Sequence, residues 1–226
     1  MSGIIARVDA ALCQARCADT MKGTRLRTPV VRDVSAKVYR EIRGTGAAGI
    51  LAFCEELLEA GDSDMRLIAF DWAFRLRNQY RPEEFSRFER WLFSYVDGWA
   101  SCDDFCTHAL GALVCQMPSV VHRIQPWTAS ESQWVRRGSV VSLIYAGRRG
   151  ALIEESLVMA DRLLGDPEDL VQKGVGWLLK EIGKRQPDII FDYVMARRGT
   201  MPRTSLRYAI EKLPPEQRRQ AMGKPK

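Results

Sequence analysis

Histidine is scarce in this 226-residue chain: His108 and His122 are the only two. Catalysis built on a histidine acid-base pair therefore has little support. Long apolar runs are missing as well. No stretch approaches the roughly 18 to 20 uninterrupted apolar residues that a membrane helix requires. The first twenty residues lack the basic, apolar, small-residue order of a signal peptide, so an intracellular, cytoplasmic protein with no membrane partner is expected. Period-two alternation of branched or aromatic residues rarely extends past four positions, which leaves little room for strands. There is no Walker A loop, no GxGxxG after a strand, no GxSxG and no HExxH, and with them go the common nucleotide, serine-hydrolase and zinc-protease readings. The six cysteines, Cys13, Cys17, Cys54, Cys102, Cys106 and Cys115, lie on apolar helical stretches without framework spacing, which fits free thiols in a reducing compartment. Cys102, Cys106 and His108 cluster, but no fourth ligand at CxxC or HxxxH spacing accompanies them. No metal or other cofactor is expected.

What the chain does have is helical periodicity. In LIAFDWAFRL the apolar positions Leu67, Ile68, Phe70, Trp72, Ala73, Phe74 and Leu76 wrap more than half a helix, as they must in a helix packed between two layers. Start signals recur: Asp166, Pro167 and Asp169 supply a cap, a proline and a first-turn acid, while Thr128 and Glu131 have capping-box spacing. Pro82, Pro187, Pro202 and Pro214 suit first turns. These marks predict helices near 3–5 (running on toward Cys17), 31–43, 47–60, 64–80, 83–96, 100–116, 130–146, 148–164, 167–184, 188–197 and 202–212. The fold class is all-α. One helix pair per about 40 residues is the period of HEAT-like repeats, which stack into a curved solenoid whose concave face is a natural groove for a duplex. No low-complexity linker divides the chain, so a single domain over 1–226 is expected, with a helical N-terminal region to residue 24 and a frayed tail at 223–226.

The net charge of +6 is lopsided: from Trp134 onward there are 18 Lys and Arg against 11 Asp and Glu, while residues 1–133 carry 16 against 17. A basic C-terminal half draws polyanions and contributes salt-dependent affinity for nucleic acid. Within it, Arg136 and Arg137 sit side by side in WVRRGSVVSL, and periodicity cannot say which faces a groove. Arg148, Arg149 and Arg203 are further phosphate candidates, as are Lys173 and Lys180 on the helix of Trp177, which also carries Lys184. Each of these also reads as a solvated helix charge.

Trp99 and Asp103 sit four residues apart in GWASCDDF, which on a helix places an aromatic plane and a carboxylate on one face. Such a pair can hold a cation. Asp103 reads either as a first-turn acid complementing the helix dipole or as an anion beside a developing oxocarbenium centre. Trp99 and Trp177 read either as core residues or as exposed rings able to attract a cation. Asp104 points about 100° away from Asp103 on a helix and is expected to be solvated.

WASCD, WVRRGSVVSL, LVQKGVGWLLKEIGKR and MPRTSLRYAIEKLP, in this order and spacing, resemble the AlkD-like DNA alkylation repair family, DNA glycosylases built from HEAT-like repeats, over roughly residues 25–215. A monomer is the simplest expectation for a groove that wraps DNA, and the resemblance implies a glycosylase, with monofunctional hydrolysis as the leading reading. It would remove positively charged N3- or N7-alkylpurines from duplex DNA without rotating the lesion into a deep pocket. It assigns Trp99, Asp103 and Trp177 to the catalytic site and Arg137 to the backbone near the lesion. Ala100 stands where some relatives carry an acid. Read without the resemblance, the same residues also suit a non-enzymatic helical-repeat module that binds damaged or branched DNA or a protein partner.

Overall fold

The computed structural model describes residues 3–18 and 26–223. Part of the expected N-terminal region and all but Gly223 of the expected tail fall outside the described residues. Among the described residues there is no strand, and no helix is long and apolar enough to cross a membrane. The chain divides into two compact units, Met1–Glu84 and Phe85–Lys226.

The first unit is built from α1 (Gly3–Ala18), α2 (Thr28–Ile42), α3 (Gly46–Glu59) and α4 (Ser63–Arg75). α1 packs on α2, α3 on α4, and α2 on α4, the neighbour-on-neighbour packing of a helical repeat. Pro29 opens α2, where its missing N–H costs nothing. Asp62 caps α4 by accepting from the amides of Asp64 and Met65 at 2.8 and 3.1 Å. Gly61 precedes that cap at φ 77°, a left-handed conformation that glycine adopts without penalty. The apolar stripes of these helices close over Val31, Val38, Leu57, Ile68 and Trp72. Asp71 is buried beside them and accepts from Ser35 at 2.5 Å, and from the partly exposed Arg32 and Arg75 at 2.7 and 2.8 Å.

The second unit comprises α5 (Glu83–Tyr95) from Phe85 onward, α6 (Trp99–Phe105), α7 (Gly111–Gln116), α8 (Val121–Ile124), α9 (Gln133–Val141), α10 (Ile144–Gly147), α11 (Ile153–Arg162), α12 (Asp169–Gly183), α13 (Pro187–Arg197), α14 (Arg203–Ala209) and α15 (Pro215–Met222). A π-helical turn, Cys106–Leu110, joins α6 to α7. α12 is the central element and packs on α9, α10, α11, α13 and α14. Two glycines make this possible. A side chain at Gly174 would meet Arg137 and Val141 of α9 at 3.2 to 3.4 Å, and one at Gly176 would meet Ser205 and Tyr208 of α14 at 2.4 to 3.2 Å. Positions two apart on a helix are turned by about 200°, so α9 and α14 grip opposite sides of α12.

Several helix limits differ from expectation. The helix expected at 148–164 begins at Ile153, because Gly150 and Leu152 both take positive φ, 75° and 55°, and a leucine in that region gives no sequence warning. The helix expected at 64–80 ends at Arg75. The predicted capping box does not form: Thr128 Oγ1 donates to the carbonyl of Gln125 at 2.8 Å, and α9 starts after Ser132. Trp127 holds that segment in a tight turn, with its ring stacked on Phe85 and its indole N–H donated to Glu89 at 3.1 Å.

Candidate functional site

Trp99 is the first residue of α6 and is 60% exposed, the most exposed large apolar side chain among the described residues. Gly98 leads into it in extended backbone, so the indole stands at the helix start with little packed against it. One turn on, Asp103 is half-buried. Its Oδ1 accepts from Arg137 Nε at 2.8 Å and its Oδ2 from Arg137 Nη2 at 2.9 Å, the side-on bidentate geometry in which arginine outperforms lysine.

Arg137 itself is buried, and its remaining nitrogen, Nη1, donates to the carbonyl of Leu170 in α12. The missing side chain of Gly174 gives it room. Burial alone would lower the guanidinium pKa, but the hydrogen bonds and charge of Asp103 more than offset this and leave it raised. The cation is therefore fixed inside the unit with its anion toward the surface. A carboxylate so held still has lone pairs directed away from the guanidinium.

The helix beyond Asp103 is locally re-phased. Thr107 Oγ1 donates to the Asp103 carbonyl at 2.7 Å, at the start of the π-helical turn, a feature frequent near functional sites. Asp104 is not solvated as expected: its side chain is 17% exposed and faces His108, whose Nδ1 lies 3.6 Å from Oδ1. Beneath α6, Cys102 donates to the Trp134 carbonyl at 3.5 Å. Burial, then contact with Cys102, pushes the Cys106 thiol well above its usual range, which makes it a poor nucleophile. All six cysteines are free thiols, and no group of three potential ligands that could hold a metal occurs among the described residues.

On α12, Lys173, Trp177 and Lys180, with Lys184 just past its end, fall within about 60° of arc, between the sides that meet α9 and α14. Lys173 pairs with Asp169 at 2.8 Å, and Lys180 pairs with Glu211 at 3.2 Å while lying over the Tyr208 ring. Trp177 is half-buried, and its Nε1 donates to Glu181 Oε1 at 3.2 Å. Glu181 is 4% exposed. Its Oε2 accepts from Arg148 Nε at 2.9 Å, and both oxygens accept from Lys184 Nζ at 2.8 Å. Burial would raise this carboxyl, but hydrogen bonds from Lys184 and Arg148 hold it below the ordinary range. The Arg148 guanidinium sits 5.9 Å from the Trp177 ring centroid.

The other candidates are dispersed. Arg136 turns away from Arg137 and is bound to Asp166 at 2.6 Å and to the carbonyls of Ser130 and Glu131 at 2.8 and 3.0 Å. Arg149 stacks on Tyr145, 3.5 Å from the ring centroid. Arg203 is exposed at the start of α14. Sequence reasoning paired Trp99 with Asp103 but passed over Glu181, although an acid four residues after Trp177 was a usable signal. The Leu170 carbonyl and the space at Gly174 leave no such mark, because both depend on how α9 crosses α12.

The sequence profile of a family described as DNA alkylation repair enzyme matches residues 8–213. A solved structure from Enterococcus faecalis, described as a predicted DNA alkylation repair enzyme, is similar with a TM-score of 0.73 at 15% identity, covering 93% of this chain and 96% of that one. No curated protein sequence matches the chain.

Proposed function

The chain belongs to the DNA alkylation repair enzyme family, and from that premise we propose that it is a monofunctional DNA glycosylase acting on cationic N3- and N7-alkylpurines in duplex DNA. One observation carries the reading: Asp103 is held in plane by a buried arginine, one helical turn from an indole that is 60% exposed. Hydrolysis of an N-glycosidic bond builds positive charge on the sugar. A preorganised carboxylate stabilises that charge without reorganising as it forms. A purine already made cationic by alkylation leaves readily, so no strong general acid is needed. Trp99 supplies an uncovered ring face for the cationic nucleotide, an interaction worth about 0.5 to 2 kcal/mol.

In this reading Arg137 acts through Asp103 rather than on a phosphate. The phosphate contacts fall to the α12 lysines and to Arg148, Arg149 and Arg203, with the protein working as a cytoplasmic monomer. The shallow, surface-facing site suits excision without extrusion into a deep pocket, a departure from the usual solution for base chemistry.

The test is base release from duplex DNA containing N7-methylguanine, with wild type compared against Asp103→Asn. Release by the wild type and its loss in the variant are expected. Both Asp103 oxygens are engaged by Arg137, and that favours a second reading in which the pair is structural and the protein only binds damaged DNA. Wild-type protein that binds the lesion duplex yet releases no base would decide for that alternative.

A further inference from the structure

We infer that Glu181 is a positioning residue: its buried carboxylate clasps the Trp177 indole, Arg148 and Lys184 into one fixed arrangement that meets the DNA already ordered. The inference rests on the glycosylase reading above and extends it to a residue outside the Trp99–Asp103 face. Four hydrogen bonds converge on this single side chain, one from the indole of Trp177, one from Arg148 at the end of α10 and two from Lys184.

Stability alone is a poor account of this cluster. Glu181 is flanked on α12 by buried Leu178, Leu179 and Ile182, and an apolar residue at such a site is often neutral or stabilising relative to a buried ion pair. The carboxylate does what an apolar residue cannot. An indole half-covered on a helix has several side-chain rotamers open to it, and an acceptor for Nε1–H selects one of them. The same carboxylate fixes two cations whose side chains remain 44% and 45% exposed. With one anion against two cations, the cluster keeps a net positive charge beside a ring of set orientation. Ordering these groups before binding removes an entropic cost that DNA would otherwise have to meet.

The test combines single-turnover base release with ¹⁹F NMR of 5-fluorotryptophan-labelled protein, the Trp177 resonance being assigned through Trp177→Phe. Glu181→Ala is expected to slow base release about tenfold, the scale of one hydrogen bond's net contribution, and to shift and broaden the Trp177 resonance. Glu181→Gln keeps an acceptor for Nε1 and is expected to restore most of the rate and a sharp resonance. In a Trp177→Phe background, which lacks the donor, Glu181→Ala is expected to slow the rate by a smaller factor, what remains coming from the release of Arg148 and Lys184. Equal rate factors in both backgrounds, or an unmoved Trp177 resonance in Glu181→Ala, would overturn the inference. If the wild type releases no base, the glycosylase reading fails, and the ¹⁹F comparison still decides whether Glu181 orders the indole.

Discussion

Asp103 and Glu181 are carboxylates of the same unit, and each is bonded to an arginine. Asp103 keeps 21% of its side chain exposed and meets one cation, whereas Glu181 keeps 5% and meets two. The layering is also inverted. At α6 the anion faces outward and its arginine, 6% exposed, lies inside; at α12 the anion lies inside and its cations, 44% and 45% exposed, face outward. Each carboxylate stands one turn from a tryptophan, so the same chemical pair presents negative charge beside one indole and positive charge beside the other. Burial decides which partner is offered. A cationic sugar requires the first arrangement and the phosphates around it the second.

The largest expected effect comes from removing the outward anion. Asp103→Asn keeps the shape but turns one acceptor into a donor facing Arg137, and base release should fall by about 10² to 10³, as when other preorganised transition-state contacts are removed. Arg137→Met tests the inner half of the same pair. It leaves Asp103 without its partner and removes the side-chain donor to the Leu170 carbonyl. Because Asp103 is partly solvated, a cost of about 2 to 3 kcal/mol is expected, between exposed and buried ion pairs. The corresponding drop in Tm is roughly 5 to 10 °C for a chain of this size, measurable by calorimetry. An unchanged Tm would mean that Arg137 does not hold the site together.

The comparison also shows what could be read beforehand. Trp99 and Asp103 share one helix at a spacing of four, so their common face was legible from the residues alone. Their counterpart was not: Arg137 lies 34 positions from Asp103, and its selection over Arg136 depends on the space at Gly174 in a third helix. Neighbouring residues on a helix point about 100° apart, and only packing decides which of the two turns inward. Pro82, Pro167, Pro187 and Pro202 mark the starts of α5, α12, α13 and α14, but Leu152 carries no turn signature and Trp127 overrides the Thr128–Glu131 pattern through contacts with α5.

Acid tests the inner carboxylate. The Glu181 carboxyl is held below its ordinary value of 4.5, so its contribution is complete above that value and is lost as pH falls through the lower folded value. Glu181→Gln removes this dependence. The difference in Tm between wild type and Glu181→Gln at neutral pH should therefore shrink or move in the variant's favour as pH drops below about 4.5. A difference that does not move with pH would show that the Glu181 cluster does not gain stability from the ionised carboxylate.

The smallest expected effect distinguishes outward cations from those already engaged by protein. Arg203 is exposed at the start of α14, whereas Arg136 is 14% exposed and spends its guanidinium on Asp166 and two carbonyls. Each phosphate contact contributes about 0.9 to the slope of log K against log salt, because one counterion's worth of charge is released from the duplex. Arg203→Ala should lower that slope by about one and weaken binding about equally for damaged and undamaged DNA. Arg136→Ala should leave the slope unchanged and lower Tm instead, since it breaks an ion pair inside the unit. The reverse pattern, a reduced slope for Arg136→Ala and none for Arg203→Ala, would place the phosphate path on the other side of α9 and separate it from the Glu181 cluster.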